Sequence, residues 1–348
     1  MVTFVAFIFV LGLAIFFHEF GHFIIAKVSG VKVFQFSLGF GPKIARVSWR
    51  GTEYALSLFP LGGYVKMAGE GPATERNKED EEVPEEQRFD KKPILLRISI
   101  IVNGPLMNII LAIFLLVIIF YFSGTAEVTN TIADVAAGTP AAEAGLKKGD
   151  KIIAINSIEI DNAEEISKII DTNRDTTVSL RILRDNNVIE ITLMPEYNIE
   201  YDRAMIGITL ELKTEKITIF QSIEKSIITT GEILRLIGIG FLEMFTGKMP
   251  VELAGPLGIA QMAGEAAKSG FLNLLFFATI INFSLGIINL FPIPILDGGQ
   301  ILLLIIEKIR GKPLKPEHIN FIYIIGLALI IMIFIVATYQ DILRIFVK

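Results

Sequence analysis

The sequence contains no cysteine and only three histidines among its 348 residues. Without cysteine there can be no disulfide and no thiolate metal site, so a transition-metal site must be built from histidines and carboxylates. The formal net charge is only -5, and no run of lysine or arginine is interleaved with aromatic side chains. These absences exclude a disulfide-stabilised domain and give no support to a nucleic-acid partner.

Hydrophobic side chains are abundant instead. They make up 52% of the chain, and the mean hydropathy is +0.58. A helix needs about 20 predominantly apolar residues to cross a hydrocarbon core ~30 Å thick. Four stretches meet this requirement, at residues 2–26, 94–122, 271–291 and 319–338. The sequence therefore predicts a polytopic α-helical membrane protein with about four transmembrane helices.

A fifth apolar stretch, residues 219–245, differs from these four because it carries charges. They are spaced so that an apolar face remains on the other side, and they are Glu224, Lys225, Glu232, Arg235 and Glu243. Such a pattern predicts an amphipathic helix, which lies on the membrane surface or packs on the helix bundle.

The segment between the first two apolar stretches has the pattern of β-hairpins. Residues 31–38 and 54–58 are stretches of alternating apolar residues. They are bounded by Gly39, Gly41-Pro42 and Gly62-Gly63, and such breaks are typical of strand ends and turns. Residues 70–92 that follow are charged and contain proline, with too few apolar side chains to form a core. We expect membrane-associated hairpins followed by a linker.

The pattern of residues 126–195 predicts a soluble α/β domain between the second and third apolar stretches. The expected strands are 128–135, 151–155, 177–184 and 188–193, with a short helix near Ala141 and another at 163–171. The Asn186-Asn187 pair indicates a hairpin turn between the last two strands.

The distribution of lysine and arginine predicts the orientation. Basic residues flank the segment between spans one and two, and others lie between spans three and four, at Lys308, Arg310, Lys312 and Lys315. Because such loops stay in the cytoplasm, four crossings would place both termini and the soluble island outside.

The first apolar stretch ends in His18-Glu19-Phe20-Gly21-His22. In a helix, residues four apart share one face, so both imidazoles can reach one ion. Glu19 is turned by about 100° from His18 and can activate the attacking water. The alternative is a pair of histidines that hydrogen-bond between helices. A carboxylate inside a membrane span is costly and therefore indicates function.

Two histidines are too few for a catalytic zinc site, which takes three protein ligands. Asp297 is the candidate for the third, in a segment where Pro292 and Pro294 end the third span. A broken helix in apolar surroundings is tolerated where protein or a polar cavity satisfies its backbone. Asp297 could alternatively be the N-cap of a helix at 300–309. The remaining histidine, His318, precedes the fourth span and is expected to be solvated or interfacial.

These residues resemble the site-2 protease family, and most closely the bacterial regulator of sigma-E protease group. The resemblance covers nearly the whole chain and rests on H-E-F-G-H at 18–22, F-S-L-G-F-G-P at 36–42, L-F-P-L-G-G-Y-V-K-M at 58–67, N-G-P-L-M-N at 103–108, G-P-L-G-I-A at 255–260 and N-L-F-P-I-P-I-L-D-G-G at 289–299. It implies one zinc ion per chain, with ligands His18, His22 and Asp297. Glu19 would serve as general base and acid.

The resemblance also implies roles around the site. Asn108 and Asn289 match asparagines that help to position the substrate backbone, although they could instead hydrogen-bond between helices or cap a helix break. The hairpins at 31–66 resemble β segments that bind an unwound substrate as an added strand. Residues 138–156 resemble part of a PDZ domain. Such a domain would exclude substrates that still carry bulky external domains, or would bind newly exposed carboxyl termini. Relatives with two PDZ domains are known in this family, and this chain has space for one.

The expected organisation has four parts. Residues 1–125 form the first half of the membrane core, and 126–200 form the PDZ domain. Residues 201–270 hold a further strand and the amphipathic helix, and 271–348 form the second half of the core. The fold class is thus a polytopic helical membrane protein with an inserted PDZ-like domain.

The predicted function is zinc-dependent cleavage of transmembrane segments in regulated intramembrane proteolysis. Substrates would be single-pass membrane proteins such as anti-sigma factors, and remnant signal peptides, in contact with membrane lipid of the bacterial cytoplasmic membrane. An alternative is a catalytically inactive membrane scaffold that displays a PDZ domain. A transporter is a third possibility, because broken helices and buried carboxylates also mark transport sites.

Overall fold

The computed structural model describes residues 1–71, 80, 82–160, 162–174, 176–198, 201–248, 254–312 and 314–346. The helices in this part of the chain are α1 (Val2–Val28), α2 (Ile94–Ser123), α3 (Pro140–Glu143), α4 (Ala163–Thr172), α5 (Ile219–Phe245), α6 (Pro256–Ser269), α7 (Phe271–Asn289), α8 (Asp297–Arg310) and α9 (Pro316–Phe346). The strands are β1 (Val33–Trp49), β2 (Thr52–Met67), β3 (Thr125–Val135), β4 (Lys151–Ile155), β5 (Ile158–Glu159), β6 (Val178–Arg184), β7 (Asn187–Leu193), β8 (Glu196–Asn198), β9 (Arg203–Met205) and β10 (Ile208–Glu215).

The four predicted apolar helices are confirmed. Helices α1, α2, α7 and residues Glu317–Arg344 of α9 are long and apolar enough to cross a membrane. Much of the predicted linker at 70–92 lies outside the described residues. Its described end forms two short 3-10 turns, Glu85–Gln87 and Phe89–Lys91.

The chain forms two compact units. One consists of residues 1–120 and 219–348, and the other consists of residues 121–218. The first unit therefore contains the four long apolar helices together with β1 and β2. Helix α5 belongs to it too, because Ile233 and Ile237 pack against a cluster of α2 and α7 side chains that includes Leu116 and Phe283. Packing on the bundle is thus the arrangement that this amphipathic helix adopts.

Strands β1 and β2 form one long antiparallel hairpin, with its turn at Arg50-Gly51, and this hairpin folds back on itself. Residues 33–38 of β1 pair on one side with 63–67 of β2 and on the other side with 53–56. Residues 43–49 of β1 pair with 52–57. The order across the sheet is therefore 43–49, 52–57, 33–38, 63–67. The two middle segments run in the same direction, so each strand reverses its direction between its two halves, near Gly39 and Gly62. Phe36 and Val65 lie on the inner face of the sheet and are buried against α1.

Helix α6 is attached to the last long helix through a buried carboxylate. The Asp341 side chain is inaccessible to solvent, and it accepts hydrogen bonds from the N–H groups of Gly255 (3.2 Å) and Gly258 (2.8 Å). These groups lie at the N-terminus of α6, where a negative charge is stabilised by the helix dipole. The G-P-L-G motif thus supplies the backbone groups that bind Asp341.

The second unit is an α/β fold around a five-strand path. The strand order is β10-β3-β4-β6-β7, and β5 pairs with β4. Its core includes Ile152, Leu180 and Ile182, which are fully buried. The predicted strand after residue 200 joins this same sheet as β10. The turn before β7 is one residue earlier than predicted: Asp185 and Asn186 have positive φ, so Asn187 already begins the strand.

Candidate active site

The two histidines of the H-E-F-G-H motif meet on one face of α1. Their Nε2 atoms are 3.2 Å apart, and the rings are nearly perpendicular, with centroids separated by 4.8 Å. This arrangement follows from helix geometry, because residues four apart are stacked one turn above the other. The sequence prediction that His18 and His22 face a common point therefore agrees with the structure.

Asp297 approaches the same point from α8. Its Oδ2 atom lies 3.3 Å from His18 Nε2, and its Oδ1 atom lies 3.6 Å from His22 Nε2. One ligand atom from each residue falls within 4.8 Å of the others, and the Asp297 residue is only 8% exposed. The alternative N-cap role does not hold, because α8 begins at Asp297 itself and Leu296 occupies the N-cap position.

The segment before Asp297 places the carboxylate by a close turn. The chain leaves α7 after Asn289 and reaches α8 through residues 290–296, where Ile295 has a φ of 81°. A Cβ atom on Gly298 would lie 2.2 Å from the carbonyl oxygen of Leu290. Only glycine fits there, so the D-G-G motif lets the first turn of α8 fold back on the end of α7.

Helix α2 contacts the histidines directly. A Cβ atom on Gly104 would lie 2.3 Å from His22 Nε2 and 3.0 Å from His18 Cε1. On the facing side, a Cβ on Gly21 would lie 2.1 Å from the carbonyl oxygen of Asn103. Small residues allow such a close helix crossing. Sequence reasoning did not assign these glycines, although Gly104 lies in the N-G-P-L-M-N motif that it singled out.

Hydrogen bonding orients His22 toward the common point. Its Nδ1 atom lies 3.0 Å from the carbonyl oxygen of Ile100. Since a carbonyl can only accept, Nδ1 carries the proton and Nε2 presents a lone pair. That lone pair faces the Asp297 carboxylate, whose buried Oδ2 has no hydrogen-bond partner among the described residues. Two converging lone-pair donors of this kind fit a cation between them.

Glu19 lies between the histidines and the sheet. Its side chain passes close to Gly63 of β2, where an added Cβ would lie 2.9 Å from Glu19 Cγ. Its carboxylate is near enough to His18 and Asp297 to interact electrostatically with both. In the part of the chain that the structure describes, residues 63–67 pair with one strand only. Glu19 therefore lies beside the edge of the sheet, which residues 63–67 form.

The remaining candidates lie around this centre. Asn108 is one turn beyond Gly104 on α2, and it is 1% exposed, with Oδ1 unpaired among the described residues. Asn289 is the last residue of α7 and is half-buried. Their role in positioning substrate stays a prediction. His318 is exposed, as expected, but it lies in the first turn of α9 instead of a loop.

Sequence comparison identifies relatives over the full length. A family profile described as Peptidase family M50 matches residues 6–333. Regulator of sigma-W protease RasP from Bacillus subtilis is 30% identical over 417 residues, covering 99% of this chain and 99% of the relative. Zinc metalloprotease RasP from Bacillus licheniformis is 31% identical over 421 residues, covering 99% of this chain and 100% of the relative.

Structure comparison identifies small domains that match part of the chain. A crystal structure of the PDZ domain of an SdrC-like protein from Listeria innocua is 21% identical, with a TM-score of 0.23, and covers 26% of this chain and 99% of that domain. A corresponding PDZ domain from Listeria monocytogenes is 22% identical, with a TM-score of 0.22, and covers 25% and 90%. The PDZ character of residues 126–200 stays a prediction.

Proposed function

The chain belongs to peptidase family M50 and is a zinc metalloprotease, and from this premise we propose that it hydrolyses peptide bonds inside membrane-embedded segments. The convergence of His18, His22 and Asp297 carries the proposal. Because these ligands lie on α1 and at the start of α8, both in the unit with the long apolar helices, the chemistry would occur at membrane depth.

In this proposal four side chains carry out the hydrolysis. His18, His22 and Asp297 would hold the zinc ion, which would supply Lewis-acid chemistry to the scissile carbonyl and the attacking water. Glu19 takes the proton from the attacking water and delivers it to the leaving amine. Its position one residue after His18 turns it toward the substrate side of the site instead of the ligand face.

The substrate would bind as an added strand. A transmembrane helix must unwind before its carbonyl can be attacked, and its freed N–H and C=O groups then need partners. Residues 63–66 offer such partners along the sheet edge, and Gly63 lies next to Glu19. Beyond them the Met67 N–H group already donates to the Glu70 carboxylate. Asn108 and Asn289 would position the substrate backbone on the other side.

The sheet also has an outer region suited to membrane lipid. Ile44 and Trp49 are 64% and 59% exposed, and the Arg50 guanidinium lies 4.7 Å from the centre of the Trp49 ring. Aromatic and basic side chains are typical of the membrane interface. We place this region at the cytoplasmic face of a bacterial cytoplasmic membrane, and residues 126–200, as a PDZ domain, on the opposite side.

The proposed substrates are single-pass membrane proteins, including anti-sigma factors and remnant signal peptides. One relative is named regulator of sigma-W protease, and that name supports a substrate connected with sigma-factor regulation. The PDZ domain would admit substrates only after their external domains have been removed, or would bind their new carboxyl termini.

A paired mutant experiment tests the function. Glu19→Gln should keep one zinc ion per chain and abolish cleavage of a transmembrane reporter, because the base is lost and the ligands remain. Asp297→Ala should lose both zinc and activity. Zinc is measured by metal analysis of purified protein, and cleavage is measured by gel mobility. Cleavage by the Glu19→Gln protein would overturn the mechanism. A wild-type chain without zinc or activity would favour the scaffold alternative.

A further inference from the structure

The ligand-bearing helix α8 has a second attachment at its far end. Asp297 opens the helix, and Glu307 lies ten residues later, in its last turn. The Glu307 carboxylate faces Arg97 in the first turn of α2, with Oε2 at 3.6 Å from Nη1. Neither side chain is freely solvated, since Arg97 is 18% exposed and Glu307 is 15% exposed.

The other Glu307 oxygen is also used. Oε1 accepts a hydrogen bond of 3.2 Å from the N–H group of Leu314, in the segment that leads into α9. Glu307 thus connects three elements: α8, the start of α2 and the segment before α9. The bond from Leu314 is charge-assisted, and such bonds are stronger and more directional than neutral ones, whereas the contact with Arg97 is an ion pair. Together these two contacts limit how far α8 can shift.

Helix α2 is also the element that orients the histidines. Ile100, one turn after Arg97, accepts the hydrogen bond from His22, and Gly104 lies against both imidazoles. The first three turns of α2 therefore contact the histidine ligands at one end and, through Arg97, the helix of the carboxylate ligand at the other.

We propose that Arg97 and Glu307 form a positioning pair that sets the distance between Asp297 and the two histidines. Neither residue touches the metal or the substrate, and both act through the helices that carry or orient the ligands. The inference rests on the proposed metal site.

The expected effect is on metal retention and turnover more than on substrate binding. Loss of partners that orient metal ligands costs roughly 10–100-fold in metal affinity or activity, and a displacement of about 1 Å at a reacting centre can cost ~10²-fold in rate. Since this pair acts at a distance, we expect roughly tenfold lower kcat and roughly tenfold faster zinc release, with KM unchanged.

The test compares single substitutions with a charge swap in the full-length protein. Glu307→Gln keeps the size of the side chain and an acceptor for Leu314, and Arg97→Gln removes the opposite charge. The double variant Arg97→Glu with Glu307→Arg restores an ion pair with the charges exchanged but removes the acceptor for Leu314. Its reference is therefore Glu307→Arg alone, which lacks both the ion pair and the acceptor. The matched control is Arg184→Gln, which breaks an ion pair with Asp150 in the second unit, where Nε and Oδ1 are 2.7 Å apart.

The measurements are zinc release into a chelator, kcat and KM on a transmembrane reporter, and Tm. We expect both glutamine variants to release zinc faster at nearly wild-type Tm, the double variant to release zinc more slowly than Glu307→Arg alone, and the control to lower Tm without changing zinc release. Single variants that fold and keep zinc release and kcat within twofold of wild type would overturn the inference. If the glutamine variants do not fold, the comparison with Glu307→Arg decides: slower zinc release from the double variant supports the pair, and equal release from the two folded proteins refutes it.

These outcomes are distinct from failure of the proposed function. If the metal site itself were wrong, wild-type protein would hold no zinc and Asp297→Ala would change nothing. If only the positioning pair were wrong, wild-type zinc and activity would be intact and the variants at 97 and 307 would match them.

Discussion

Gly104→Ala isolates the contact between α2 and the histidine pair. The added methyl group would lie 2.3 Å from Cε1 and Nε2 of His22. Ordinary contact between such atoms begins near 3.5 Å, so the ring or the helix must move by roughly 1.2 Å. The ring cannot rotate freely, because Nδ1 is bound to the carbonyl of Ile100 at 3.0 Å.

A displacement of this size has a defined consequence. Misplacement by about 1 Å costs on the order of 10²-fold in rate, which corresponds to roughly 2.7 kcal/mol in the activation free energy. We therefore expect kcat for a transmembrane reporter to fall by about two orders of magnitude, with weaker zinc binding, while the helices remain folded. The assay combines reporter cleavage in detergent, zinc titration against a chelator, and circular dichroism.

Gly12→Ala is the matched control. Gly12 lies on α1 as well, but an added Cβ there meets no atom within 4 Å. Since alanine is favoured over glycine in helices by about 1 kcal/mol, this variant should keep full activity and equal or higher stability. Gly104→Ala protein whose kcat and zinc affinity stay within threefold of wild type would refute the contact argument.

Two further predictions concern stability. Asp341→Ala should lower Tm, because it leaves two buried N–H groups of α6 without their acceptor at a cost of about 1–3 kcal/mol each; an unchanged Tm in differential scanning fluorimetry would contradict this. The Asp150 carboxylate is buried, which by itself raises its pKa, but hydrogen bonds from Arg184 and the Lys147 N–H group outweigh this and lower the pKa. A lowered folded-state pKa contributes stability above the unfolded value of about 3.9, and the contribution is lost as pH falls through the folded pKa. The protection factors of the second unit in hydrogen exchange of the full chain, which correct for the intrinsic pH dependence of amide exchange, should therefore fall below about pH 4 in wild type. Arg184→Gln should show the lower protection factors already at neutral pH.

Local patterns in the sequence predicted the elements well, because they depend on neighbours along the chain. The i, i+4 spacing of His18 and His22 required only helix geometry, and the lengths of the apolar runs required only the span of a helix. The Asp185-Asn186 turn was placed one residue late, because either neighbouring asparagine can adopt positive φ and the strand register decides between them.

Contacts distant in sequence were harder to predict. The glycines in the region 31–66 are predicted to interrupt the strands, and the chain does reverse its direction near Gly39 and Gly62. The sequence did not predict that the hairpin folds back there, so that residues 33–38 also pair with 53–56. The pairing depends on how the strands pack against α1, and no local pattern contains that information. The close approach of Gly104 to the histidines was missed for the same reason.

Asp297 was indicated by the sequence, but its position beside the histidines was decided by the tertiary structure. The sequence alone determined that a metal site would need a carboxylate, because it has no cysteine and only one spare histidine, and it indicated Asp297 through the broken helix beside it. It left open whether that carboxylate caps a helix or faces the histidines. Only the tertiary structure decided this, since α8 begins at Asp297 and turns back on α7, which directs the carboxylate to within 3.3 Å of His18. The physical reason is that helix periodicity is a local property, whereas a site shared by α1 and α8 exists only once both helices are packed.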